Sequence, residues 1–222
     1  NSLDSNAKGL KTRPSNVLLT GNKDHRLIPI FRVNYVKRTK KPFIGSISYH
    51  TNYSEFSQSN GSDWHRNFMP GFEAVHGYNL VNVSHFDTRK KVTNSFFEKP
   101  VLIKTLYYPS FTVDTLNRKT VNRNYYLLSV YDEDTNNDSF INVKDLRRLY
   151  YFDVQGLSKS LLIPSNYSVL SSEYDPANDY MYVFAKLDAD NNGLIDSQEE
   201  TQVFWIDLKN PISNGLMYKK NS

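Results

Sequence analysis

No cysteine occurs anywhere in the 222 residues. That excludes disulfides, thiol catalysis, iron–sulfur clusters and cysteine-based zinc sites together. It does not fix the compartment, because envelope proteins also lack cysteine. No apolar run approaches the roughly 18 residues of a membrane-spanning helix, so no transmembrane span is expected. The sequence is not of the disordered type either, since 39% of it is hydrophobic and 14% aromatic. The signatures His-Glu-x-x-His, Gly-x-Ser-x-Gly and a phosphate-cradling glycine loop are all missing. The five histidines, His25, His50, His65, His76 and His85, show no three-to-five spacing for a helical metal site. Asn1 rather than Met at the start is read as a leader removed or left out upstream.

What is present is unevenly distributed. Residues 1–125 carry 19 Lys+Arg against 8 Asp+Glu, a net +11. Residues 126–222 carry 8 against 15, a net −7. The basic clusters Lys37–Lys41 and Arg89–Lys91 read as loop tips between strands, not as a nucleic-acid-binding helix. Nucleic acid is therefore not an expected partner.

The acidic residues have a spacing. In the run Asp188 to Glu199, oxygen-bearing side chains fall at positions 1, 3, 5, 9 and 12 of a twelve-residue loop: Asp188, Asp190, Asn192, Asp196 and Glu199. Gly193 takes position 6, where the chain must turn sharply. Leu194, at position 7, offers its backbone carbonyl, and Ile195 anchors the loop in a core. Calcium is a hard ion that takes six to eight oxygens, and this is the EF-hand frame. A poorer copy runs from Asp134 to Asp145. Here Asp134, Asn136 and Asp138 take positions 1, 3 and 5, the Phe140 carbonyl takes position 7, and Asp145 closes. Ser139 replaces the glycine, and Asp145 is one methylene shorter than Glu. This ending resembles dockerin calcium loops. Two Ca2+ sites are expected, the one at 188–199 stronger and the one at 134–145 weaker.

Both loops are flanked by runs rich in tyrosine and β-branched residues, which predict strands rather than the long helices of calmodulin. Subtracting 54 from Tyr180, Asp188, Ile195, Glu199, Phe204 and Asp207 gives Tyr126, Asp134, Ile141, Asp145, Tyr150 and Asp153. That is an internal repeat with a calcium loop between two strands of each unit. About one helical turn is expected over 143–148 and 197–202. A loop-less relative ends at Phe86-Asp87, and Ile28–Tyr35 with Phe43–Tyr49 reads as a fourth unit. The aromatic–Asp endings over roughly residues 70–210 resemble the blades of WD40-like and TolB-like β-propellers. The expected fold is thus mainly β: repeated antiparallel β-meander units, propeller-like and open to being partial. The expected organisation is an extended segment at 1–26, basic β units at 27–100, and the calcium-loop repeat at 101–222.

The loops, the Tyr/Asn-rich strands and the repeat also resemble EF-hand-bearing envelope proteins of Bacteroidota. That resemblance implies export, a lipid anchor upstream of residue 1, and a protein partner such as an outer-membrane barrel complex. The expectation is a non-enzymatic, calcium-stabilised extracytoplasmic interaction protein, at the periplasm or cell surface. Two alternatives stand beside it. One is a carbohydrate-active or peptide-processing enzyme with a site near Trp64, His65, Glu73 and His76. The other is a glycan-binding module using exposed tyrosines.

Overall fold

The computed structural model describes residues 2–5, 9–45, 48–50 and 69–220. Among these there is no helix, and every strand pairing is antiparallel. The strands begin with β1 (Ser2–Asp4), β2 (Thr12–Pro14), β3 (Leu18–Leu19), β4 (His25–Arg32), β5 (Asn34–Tyr35), β6 (Pro42–Phe43), β7 (Ser48–His50) and β8 (Phe72–Asp87). There follow β9 (Val92–Ser95), β10 (Leu102–Pro109), β11 (Asp114–Leu116), β12 (Lys119–Val121), β13 (Tyr125–Tyr131), β14 (Phe140–Asn142), β15 (Arg148–Asp153) and β16 (Lys159–Leu161). The last four are β17 (Tyr167–Asp175), β18 (Tyr180–Leu187), β19 (Thr201–Asp207) and β20 (Asn214–Tyr218).

Among the described residues three meander units form, where four were expected. The segment expected to start a separate early unit is β4, and it pairs along Leu80–Asp87 of β8. Only the two-residue pair β5–β6 forms between Asn34 and Phe43. The first layer is therefore β3, β4, the C-terminal half of β8, and β9. The second is β10, β13, β15 and β16, and the third is β17 to β20. The 16-residue β8 also pairs through its N-terminal half with β10, so one hydrogen-bonded sheet runs across residue 100. No sheet closes on itself among the described strands.

Side-chain alternation explains the stacking. All seven residues of β13 are buried, because each face of that strand meets a different layer. Tyr126, Leu128 and Val130 join Leu27, Val83 and Phe152 in one apolar cluster with the first layer. Tyr125 and Leu127 join Leu149, Met181, Val183, Ala185, Phe204 and Ile206 in another with the third. We call the face that meets the preceding layer the back and the face that meets the following layer the front.

The layers share one register. His25, Tyr125 and Tyr180 each sit opposite an aspartate at the end of the neighbouring strand: Asp87, Asp153 and Asp207. Those are the aromatic–Asp or aliphatic–Asp endings of the sequence, and their chemistry is local. Asp87 Oδ1 accepts from the amides of Arg89 and Lys90, Asp153 Oδ1 from those of Leu157 and Ser158, and Asp207 Oδ1 from that of Lys209. Each carboxylate thus caps the turn that reverses the chain. The offset of 54 holds for the loops and for β15 against β19. The strands before the loops are offset by 55, so Tyr180 matches Tyr125 and not Tyr126. Two residues, Asp132 and Glu133, separate β13 from the first loop, whereas β18 ends at Leu187, directly against the second.

The expected helical turn over 143–148 is absent because its amides are taken. Lys144 N–H donates to Asn142 Oδ1, Leu146 N–H to the Thr135 hydroxyl, and Arg147 N–H to the Ser168 hydroxyl. Residues 197–202 likewise form no helix.

Candidate metal centre

The two loops fold alike, hydrogen bond for hydrogen bond. The position-5 amides, Asp138 and Asn192, each donate to Oδ1 of positions 1 and 3, at 3.0 Å in the first loop and 3.1 Å in the second. The position-6 amides donate to Oδ2 of position 1, Ser139 to Asp134 at 2.8 Å and Gly193 to Asp188 at 3.0 Å. The position-7 amides of Phe140 and Leu194 donate to Oδ1 of Asp138 and Asn192. These bonds turn alternate side chains toward one centre. The backbone accommodates this with a positive φ at positions 4 and 6: 58° at both Asn137 and Asn191, 70° at Ser139 and 74° at Gly193.

Position 12 closes each loop. Glu199 Oε1 accepts from the Ala189 amide at 3.0 Å and Oε2 from the Asp196 amide at 3.1 Å. Asp145 does the same with the amides of Thr135 (2.9 Å) and Asn142 (2.7 Å). Its shorter side chain pulls the loop in, and Asp145 is only 2% exposed. Burial raises its carboxyl above the ordinary value, against the amides of Asn142, Thr135 and Asn136. Asp132 takes no part, since it accepts from the Tyr150 hydroxyl instead.

In the second loop Asp188, Asp190 and Glu199 each bring one oxygen within 4.8 Å of the others, a group able to hold a metal ion. Among the described residues this is the one such group of acidic or histidine side chains. Asn192 and Asp196, at positions 5 and 9, stand on the same loop. In the first loop Asp134, Asp138 and Asp145 are not brought together in this way.

The loops differ in what lies beside them. Phe140–Asn142 is strand β14 and pairs with β1, Leu3 opposite Ile141. Leu3, Ile141, Val81, Leu102 and Tyr131 make a small apolar cluster beneath it. The equivalent Leu194–Asp196 forms no strand. The two loops touch through Thr135, whose side chain reaches the backbone of Gly193.

Of the alternative catalytic residues, the two that are described do not come together. Trp64 and His65 lie outside the described residues. Glu73 and His76 are three apart on β8, which puts them on opposite faces. Glu73 shares its face with Tyr108, to which it is hydrogen-bonded, and burial raises its carboxyl. His76 faces the other way, 2.9 Å from Thr105 and edge-on to Tyr107.

Two polar constellations were not foreseen from the sequence. His25 Nδ1 lies 2.9 Å from His85 Nε2, both rings buried. Asn94 donates to the Gly156 carbonyl, so its Oδ1 faces His85 Nδ1 and places the proton there. His85 therefore accepts from His25. The second is Arg123, which bonds both oxygens of Asp179 at 2.8 Å. It also donates to the carbonyls of Pro70 and Leu208. This joins the second layer to the third. Neither had a sequence signal, because the partners are about 60 residues apart.

No protein-family model matches the chain, and no curated protein matches it in sequence.

Proposed function

We propose that this protein is a calcium-stapled β scaffold that works outside the cytoplasm by presenting a surface to another protein. The observation that carries the calcium reading is the convergence of Asp188, Asp190 and Glu199 in a loop whose hydrogen bonds recur at the same positions in a second loop. All the donors are hard oxygens, which suits Ca2+ and not a thiolate- or imidazole-seeking ion. Asp188, Asp190, Asn192, Asp196, Glu199 and the Leu194 carbonyl form the stronger site. Asp134, Asn136, Asp138, Asp145 and the Phe140 carbonyl form the weaker one.

The loops link strands within single layers and carry no hinged helices, so the ion acts as a staple rather than a switch. Without it the carboxylates of each loop repel one another. Two ions would take residues 126–222 from −7 to −3. Extracellular modules hold calcium at weak sites that the ambient ion keeps filled. The resemblance to EF-hand-bearing envelope proteins supports an accessory role in a bacterial outer-membrane or cell-surface complex.

The test is calorimetric titration of Ca2+ into chelator-stripped protein, beside Glu199→Gln and Asp134→Asn. Two binding events are expected, each variant losing one of them. No heat and no change in melting on adding calcium would overturn the reading.

A further inference from the structure

The same pair of rings sits on the front of every layer. In the first it is His25 with His85, centroids 5.0 Å apart. In the second it is Tyr125 with Tyr151, 5.4 Å apart. In the third it is Tyr180 with Trp205, stacked at 5.7 Å. The register makes these positions equivalent, since each strand residue stands opposite its layer's turn aspartate. The first two pairs lie under the next layer. Over the third, no described residue packs as a further layer: Tyr180, Tyr182, Phe184, Val203 and Trp205 are all partly exposed. Gly215 keeps this front flat, because a Cβ there would lie 3.0 Å from the Trp205 indole nitrogen.

The other end of the stack is the complement. The back of the first layer presents Leu19, Arg26, Ile28, Ser84 and Phe86, none of them buried. Phe86 is the equivalent of Phe152, which is buried against Phe96 of the first layer at 4.4 Å. Within the chain, backs of this kind cover fronts of this kind twice.

Charge follows the same polarity. The free back carries Arg26, with Lys91 lying over the Phe86 ring. The free front is rimmed by Glu173, Asp175 and Asp207, in register with Tyr182 and Tyr180, against Lys209, which pairs with Asp207 and lies over the Tyr180 ring. Asp175 is held down to about 2 by the Tyr182 hydroxyl and Asn178. It is therefore charged at any ordinary pH.

We propose that the front of the third layer, around Tyr180 and Trp205, takes the back of the first layer of a second copy of this chain, around Ile28 and Phe86. The contact is head-to-tail, so two copies that satisfy both faces close, and copies that do not close grow as a row. It stands on the layer geometry and not on the metal.

The test is sedimentation of the calcium-loaded protein over a range of concentrations, at low and high salt. The expected result is a mass above monomer that rises with concentration and falls with salt, which screens the charged rims. Trp205→Asp removes the front and Ile28→Asp the back. Each alone should associate at least tenfold more weakly, with unchanged circular dichroism. Mixed, they should recover a one-to-one dimer, because one variant keeps a good back and the other a good front. Tyr182→Lys replaces Trp205→Asp if the latter fails to fold. A wild type that stays monomeric throughout overturns the proposal. So does an Ile28→Asp variant that pairs by itself, which would mean front-to-front contact.

Discussion

The Thr135 hydroxyl donates a 2.7 Å hydrogen bond to the carbonyl oxygen of Gly193, joining position 2 of one loop to position 6 of the other. The approach is close in both directions, since a methyl group on Gly193 would lie 1.9 Å from the Thr135 carbonyl oxygen. The loops are therefore one mechanical unit, and what disturbs one reaches the other.

Gly193→Ala is expected to cost well over about 1 kcal/mol, because a positive φ and a backbone clash coincide there. It should also weaken calcium binding at both loops. Ser139→Gly is the opposite case: at φ 70° it relieves roughly 1 kcal/mol of left-handed strain, partly offset by chain entropy. Urea unfolding and calcium titration of the two variants check both directions.

Calcium should raise the unfolding free energy by about 2.7 kcal/mol at a hundredfold excess over its dissociation constant, for one site. Glu199→Gln should lose most of that gain while unfolding normally in chelator. Thermal melts with and without calcium measure it. Equal gains in wild type and variant would place the stabilising ion elsewhere.

Arg123 and Asp179 are 1% and 8% exposed, so neither charge can be rescued by water. Arg123→Met should cost about 3–5 kcal/mol by leaving a buried carboxylate alone. The double variant Arg123→Met with Asp179→Asn should recover much of the loss, because Asn tolerates the left-handed φ of 56° and still accepts from the Tyr174 hydroxyl. Denaturant midpoints of the two single variants and the double give the coupling directly.

Acid should destabilise the fold in two steps. Burial holds His85 below its ordinary value, helped by the His25 charge and against the bond to Asn94. The unfolded chain then binds the proton first, so stability falls as pH drops below about 6.5. Burial would raise Asp179, but the bond and charge of Arg123 outweigh it and leave it lowered. Its contribution is present above about pH 4 and is lost as pH falls through its folded value. His85→Asn should remove the upper step and keep the lower. Melting temperatures between pH 8 and 3 show whether it does.

The two acidic loops were legible because their side-chain types recur at fixed spacing, and the turn aspartates because they act on their own neighbours. The 55-residue offset of the preceding strands was not. Tyr125 and Tyr126 are chemically alike, and only pairing to Asp153 or Phe152 tells them apart. The double burial of Tyr125–Tyr131 goes with a run that Ser129 alone interrupts, yet such a run does not say which layers cover it. Arg123 with Asp179, His25 with His85, and Leu3 with Ile141 are meetings between distant segments, which no local pattern encodes.

The pairing of Leu3 with Ile141 also sets an order of events. β1 has no place to dock until the chain has reached β14 and folded back, which is among the longest loops this molecule must close. The first acidic loop therefore gains its neighbouring strand late in folding. A calcium signal from that loop, followed in time after dilution from denaturant, would lag the signal from Asp188–Glu199. The two loops would serve as clocks for early and late assembly of one chain.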